Sequence, residues 1–267
     1  MSDFYFDQAI ALESLETGRY SGNTHTEWLN MVGPFGGMTA AVMLQAVMQH
    51  PARLGNPVSL TVNFCAGVAE GTFEVSAKPA RTNRFTQHWL IELVQGNEIV
   101  ITATAVTATR RTTFSSNESP KPVVASAQSL LRAPPPKLPW THRYDMRSIT
   151  GHLPAVWDNK EGDTLTQMWV RDVQERAIDF ASLTAIADTF FPRVYLRRKT
   201  FVPIGTVSMT VYFHADTTEL SALGSTFVLG QAKAQCFFNG FFDQYAQLWS
   251  EAGTLLATTH QVVYYKE

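Results

Sequence analysis

The chain has 267 residues, 45% of them hydrophobic and 16% charged, with a net charge of −2; this length suits one large domain or two of ordinary size, and the charge gives no reason to expect a nucleic-acid partner. Two cysteines, Cys65 and Cys236, cannot form a disulfide framework, and no histidine–cysteine cluster has zinc spacing, so no metal is expected. The opening Met1-Ser-Asp-Phe-Tyr-Phe-Asp7 is unlike a signal peptide, and no window approaches the ~18 apolar residues of a membrane span, so a reduced, cytoplasmic setting is expected.

Residues 28–37 read as a glycine-rich loop ending in Val32-Gly-Pro-Phe-Gly-Gly37. Residues 38–49 (MTAAVMLQAVMQ) hold strong helix formers and no breaker, and are apolar on nearly every side, which predicts a buried helix. His50-Pro51 ends it, because the residue before a proline avoids helical geometry. Strands are predicted over 57–66, 71–80, 86–95 and 99–110, with Gly96-Asn97 as a tight hairpin turn between the last two. A polar, turn-like stretch at 115–122 and a stiff, extended polyproline run at 133–139 follow. Residues 140–163 yield no assignment. A second helix is predicted over 180–190, then strands over 206–215, 225–237, 241–250 and 255–265, with a turn at Ala252-Gly253. The fold class is therefore α+β. The same order of helix and antiparallel sheet occurs twice, and a boundary near residue 125 divides the chain into 1–124 and 125–267.

One phrase supports that duplication directly. Pro57-Val-Ser-Leu-Thr-Val-Asn-Phe-Cys-Ala66 returns 149 residues later as Thr206-Val-Ser-Met-Thr-Val-Tyr-Phe-His-Ala215, identical at six positions. The period is too long for a solenoid repeat and fits a duplicated domain. The two copies differ at polar positions. Pro57 stands where the second copy has Thr206, and Ala105 where it has Gln261. The helix at 38–49 has no acidic residue, whereas the second helix contains Asp188. A carboxylate in an apolar helix costs several kcal/mol if buried and unpaired. Since one copy of the fold does without these groups, the fold does not require them. Two readings of Asp188 stand: a functional carboxylate grouped with Thr206 and Gln261, or a structural partner of Arg193, Arg197 or Arg198.

A long apolar helix wrapped by a curved antiparallel sheet, twice in tandem, resembles the double-hotdog proteins of the acyl-CoA thioesterase II family. The resemblance runs through 28–111 and 179–266 and is weak between them. It implies a substrate, acyl-CoA, hydrolysed without a cofactor by a water that Asp188, Thr206 and Gln261 hold. Asp188 is then the general base, and Thr206 and Gln261 orient the water. Backbone N–H groups at Gly36, Gly37 and Met38 are candidate oxyanion donors, although close helix packing explains the glycines equally. Arg193, Arg197 and Arg198 are candidate phosphate ligands for coenzyme A; a solvated loop is the alternative. Trp28, Phe35, Trp89, Phe190 and Phe191 are candidates to line an acyl tunnel, with core packing as their default role. The low charged fraction and the aromatic run 237–242 point to a homodimer or higher homo-oligomer. A non-catalytic acyl-CoA-binding protein and a double-hotdog hydratase are the rivals. The hydratase would want a histidine beside the carboxylate. Neither a Gly-x-Ser-x-Gly elbow nor a phosphate loop is present.

Overall fold

The computed structural model describes residues 2–132 and 134–267; Ala133, the first residue of the predicted polyproline run, lies outside them. A short helix α1 (Tyr5–Ala9) precedes the hairpin β1 (Glu13–Glu16) and β2 (Arg19–Asn23). Then come α2 (Gly36–Gln49), β3 (Asn56–Phe64), β4 (Thr72–Thr82), β5 (Thr86–Gln95) and β6 (Glu98–Ala108). The second half contributes β7 (Tyr144–Thr150), β8 (Thr166–Asp172), α3 (Phe180–Ile186), α4 (Arg193–Arg198), β9 (Ile204–Phe213) and α5 (Thr217–Leu223). It closes with β10 (Val228–Lys233), β11 (Phe237–Phe238), β12 (Phe241–Ser250) and β13 (Leu255–Tyr265). Among the described residues no helix is long and apolar enough to cross a membrane.

All the strands join one antiparallel sheet in the order β1-β2-β4-β5-β6-β3-β9-β13-β12-β10-β8-β7, with β11 on the edge of β12. The repeated phrase explains this order, because the two copies pair with each other at the centre. Thr61 lies opposite Thr210, and their hydroxyl oxygens are 3.0 Å apart. From that seam outward each strand of the first half has its counterpart in the second. Both copies also carry a bulge at the same place, at Val58 and at Val207. The register confirms the equivalences drawn from sequence: Leu60 faces Ala105 as Met209 faces Gln261.

The helix predicted over 38–49 is α2, begun two residues earlier and buried along most of its length. It packs against α3, and Gly37 sits so close that a Cβ there would lie 2.6 Å from the Ala185 carbonyl oxygen. The Gly96-Asn97 turn has positive φ at both residues, 61° and 69°, as the tightest hairpin turn requires. One core runs through both halves, from Leu44 and Leu60 to Met209 and Leu248.

Two expectations are corrected, and the unassigned stretch gains its structure. The second helix ends at Ile186 rather than 190, because the Thr189 hydroxyl donates to the Ile186 carbonyl (2.8 Å) and the backbone tightens to three-residue hydrogen bonds. The strand predicted over 225–237 breaks after Lys233, where the Asp243 carboxylate takes the N–H groups of Gln235 and Cys236 (2.8 and 2.9 Å) out of the ladder. The unassigned stretch 140–163 contains β7, and β8 follows it, at the sheet edge that mirrors β1 and β2.

Candidate active site

Because α3 stops early, Asp188 stands just past the helix rather than within it, and its carboxylate points at the N-terminus of α2. The N-cap residue of α2, Phe35, makes no side-chain cap. The Gly37 N–H instead donates toward the Asp188 carboxylate, and a Cβ on Gly36 would come within 2.9 Å of Asp188 Oδ2. The absent side chains at Gly36 and Gly37 thus let a carboxylate of one half approach a helix end of the other, where the helix dipole favours a negative charge.

Strand alternation on β13 turns Ala257, Thr259, Gln261 and Val263 inward. Gln261 Nε2 donates to Asp188 Oδ1 at 2.7 Å and lies 3.3 Å from Met209 Sδ. Burial pushes the Asp188 carboxyl up to about 7; the bonds from Gln261 and the Gly37 N–H hold it lower than burial alone would. None of the ion pairs among the described residues involves Asp188, so the structural reading as an arginine partner fails. Thr206 stands on β9 next to the bulge at Val207 and makes no hydrogen bond to either residue; it faces the same space.

That space has two arms. One is a cavity of about 350 Å³ whose walls include eight aromatic side chains, among them Phe35, Trp140, Trp157, Phe190, Tyr195 and Phe201. The other, about 300 Å³, is more polar and is bordered by Val32, Gly36, Phe64, Cys65, Gly67 and Tyr264. Asp188, Thr206, Asn30, Met31 and Ile204 border both, so the carboxylate sits where the arms meet. Gln261 lines the aromatic arm.

The remaining expectations divide. Phe35, Phe190 and Phe191 line the aromatic arm, whereas Trp28 and the Met38 side chain border a separate small cavity in the first half. Trp89 is core, its indole N–H donating to Thr107. The phosphate-ligand expectation is corrected for Arg193, while Arg197 and Arg198 are partly exposed and lie outside both arms. Arg193 is fully buried, and its guanidinium is spent on the carbonyls of Thr164 (2.8 Å) and Phe191 (3.0 Å) and the hydroxyl of Thr166 (2.7 Å). Arg197 pairs with Glu161 at 2.7 Å and Arg198 with Glu267. In the aromatic run, Phe237 stacks on the buried Phe242, while Phe238 and Phe241 stay exposed. Sequence reasoning missed Gln244, a buried amide in the wall of the aromatic arm. Its alternation with Phe242 and Ala246 on β12 was the available signal.

The chain's two halves match two successive family descriptions, an acyl-CoA thioesterase N-terminal domain at residues 25–111 and an acyl-CoA thioesterase C-terminal domain at residues 119–265. The chain belongs to the acyl-CoA thioesterase family. A conserved hotdog-fold protein of unknown function from Alicyclobacillus acidocaldarius is 45% identical, with a TM-score of 0.94 over 100% of this chain and 99% of that one. An acyl-CoA thioesterase II of Mycobacterium marinum is 16% identical, with a TM-score of 0.77 over 98% of both chains, a likeness of fold. No curated protein sequence matches significantly. Within this thioesterase family chain, both matched domains contribute to the junction: Gly36 and Gly37 from the first, Asp188, Thr206 and Gln261 from the second.

Proposed function

We propose that this chain hydrolyses acyl-CoA to a free carboxylic acid and coenzyme A, using a water held by Asp188, Thr206 and Gln261. The observation that carries the reading is a partly buried carboxylate, pushed up to about 7 and bonded to Gln261 at 2.7 Å, at the meeting point of an aromatic and a polar arm. A base with that proton affinity is half ionised near neutral pH and gains a proton readily as water attacks. The acyl group occupies the aromatic arm and the pantetheine the polar one, so the thioester carbon comes to the junction. Asp188 takes a proton from the water as its oxygen bonds to the carbonyl carbon. The C–S bond then breaks, and the thiolate leaves with that proton. Thr206 and Gln261 fix the water's orientation without adding a competing charge. The negative oxygen of the intermediate falls to first-turn N–H groups of α2 beside Gly36, since the Gly37 N–H is turned to Asp188. The same reading treats the chain as two tandem hotdog repeats, 1–124 and 125–267, the second carrying the base.

Free-thiol release from acyl-CoAs of graded size tests this. Turnover is expected from wild type, with most of it lost in Asp188→Asn and in Gln261→Ala while both variants stay folded. Tight acyl-CoA binding without any release would instead mark a binding protein.

A further inference from the structure

We propose that the aromatic arm takes a compact acyl group bearing a hydroxyl or oxo substituent, and that Gln244 reads that substituent. This rests on the thioesterase reading above and narrows its substrate. Gln244 is 2% exposed and lines the aromatic arm but not the polar one. Its side chain makes no hydrogen bond with any described residue, while Gln261, directly across the ladder, is committed to Asp188. With no protein partner, the amide is available to a polar atom of a ligand in the arm.

The first half shows that the strand itself does not ask for an amide here. The equivalent position is Trp89, opposite Ala105 as Gln244 is opposite Gln261. There the space is filled by an indole whose N–H is satisfied by Thr107 at 3.1 Å. The second half has in its place an amide without a protein partner, at a cavity wall.

Position fixes what the amide can reach. In the sheet β12 lies beyond β13 as seen from β9. Gln244 is therefore about 4.8 Å, one strand spacing, farther than Gln261 from the strand that bears Thr206. The thioester carbon belongs at the junction with Asp188 and Thr206, so Gln244 meets atoms a few bonds along the acyl group. Size and wall chemistry limit that group. A cavity of about 150 Å³ admits benzene, so the 350 Å³ arm holds on the order of two rings. Phe35 and Trp140 stack 4.2 Å apart at its wall, and Trp157, Tyr195 and Phe201 form a second aromatic group. Such walls suit a flat or bulky group better than a long saturated chain.

The test compares kcat/KM for matched pairs, hexanoyl-CoA with 3-hydroxyhexanoyl-CoA and phenylacetyl-CoA with 4-hydroxyphenylacetyl-CoA, alongside palmitoyl-CoA. Wild type is expected to favour the hydroxylated member of at least one pair by about tenfold or more, because a site built to bond a hydroxyl discriminates strongly against its absence. Gln244→Leu is expected to cut that ratio about tenfold. Equal rates within both pairs, a preference for palmitoyl-CoA, or an equal loss on both members in Gln244→Leu would overturn the inference and leave the hydrolase reading intact. The wild-type ratios decide the matter even if the variant does not fold. Thiol release from no member would overturn the hydrolase reading and this inference with it.

Discussion

At the scale of single residues, the proposed chemistry turns on a partly buried carboxylate, Asp188. An unfolded Asp releases its proton near pH 4, whereas Asp188 in the fold holds it up to about 7. Between those values the folded chain binds a proton that the unfolded chain lacks, so stability falls as pH rises through the window. Above it, the fold carries the cost of a partly buried charge, at most about 4 kcal/mol by linkage. Asp188→Asn removes that cost. The variant is expected to be more stable than wild type at pH 8, by roughly 1–4 kcal/mol, and to show no such gain at pH 4. Urea unfolding at the two pH values measures this, and an equal difference at both would contradict it. The sequence made Asp188, Thr206 and Gln261 legible because the first copy has Pro57 and Ala105 at two of the positions and no acid on its helix. Gln244 escaped notice because glutamine in a half-buried strand is unremarkable until its neighbours across the ladder are known.

At the scale of elements, the site depends on how two helices end. The Thr189 hydroxyl cuts α3 short, and Gly36 and Gly37 let α2 come close to the carboxylate beyond it. Arg193 then locks the following turn to the loop before β8 and to β8 itself through Thr164, Thr166 and Phe191. Burial lowers its proton affinity, to about 9, as expected for a cation in the interior. Replacing it leaves carbonyls without donors and a void around them. Arg193→Met is expected to destabilise the fold by about 2–4 kcal/mol, read from the denaturant midpoint. An unchanged midpoint would show that the arginine is free, as the sequence pattern alone suggested. From sequence, four positive charges in the seven residues 193–199 look like an anion site. Only the fold reveals that the first of them is spent on backbone oxygens. The strands of the core were legible from β-branched alternation, whereas β1 and β7, the edge strands, and β2 beside β1 are largely exposed or half-buried and lack that pattern.

At the scale of the whole molecule, the repeated phrase does the joining. Its two copies form the central ladder of the sheet, and a single apolar core spans both sides of it. The duplication was readable from the sequence, but nothing in a linear repeat says that the copies pair with each other; that requires the unsatisfied edges of β3 and β9 to meet. The halves are therefore expected to unfold together, in one calorimetric transition with matching calorimetric and van't Hoff enthalpies. Two resolved transitions would show that each half is stable alone. The wall of the aromatic arm follows the same logic: Trp140 and Trp157 come from the connecting stretch without a sequence assignment, Phe35 from the first half, and Phe190 and Phe201 from the second.

The pH dependence of thioester hydrolysis by wild type and Asp188→Asn addresses the central claim most directly. If Asp188 is the base, wild-type kcat rises with pH, passes half its plateau near 7, and levels off above it. Asp188→Asn should lie roughly 100-fold or more below that plateau and lose the dependence. A variant with the wild-type rate, or one that keeps the same pH midpoint, would place the base elsewhere.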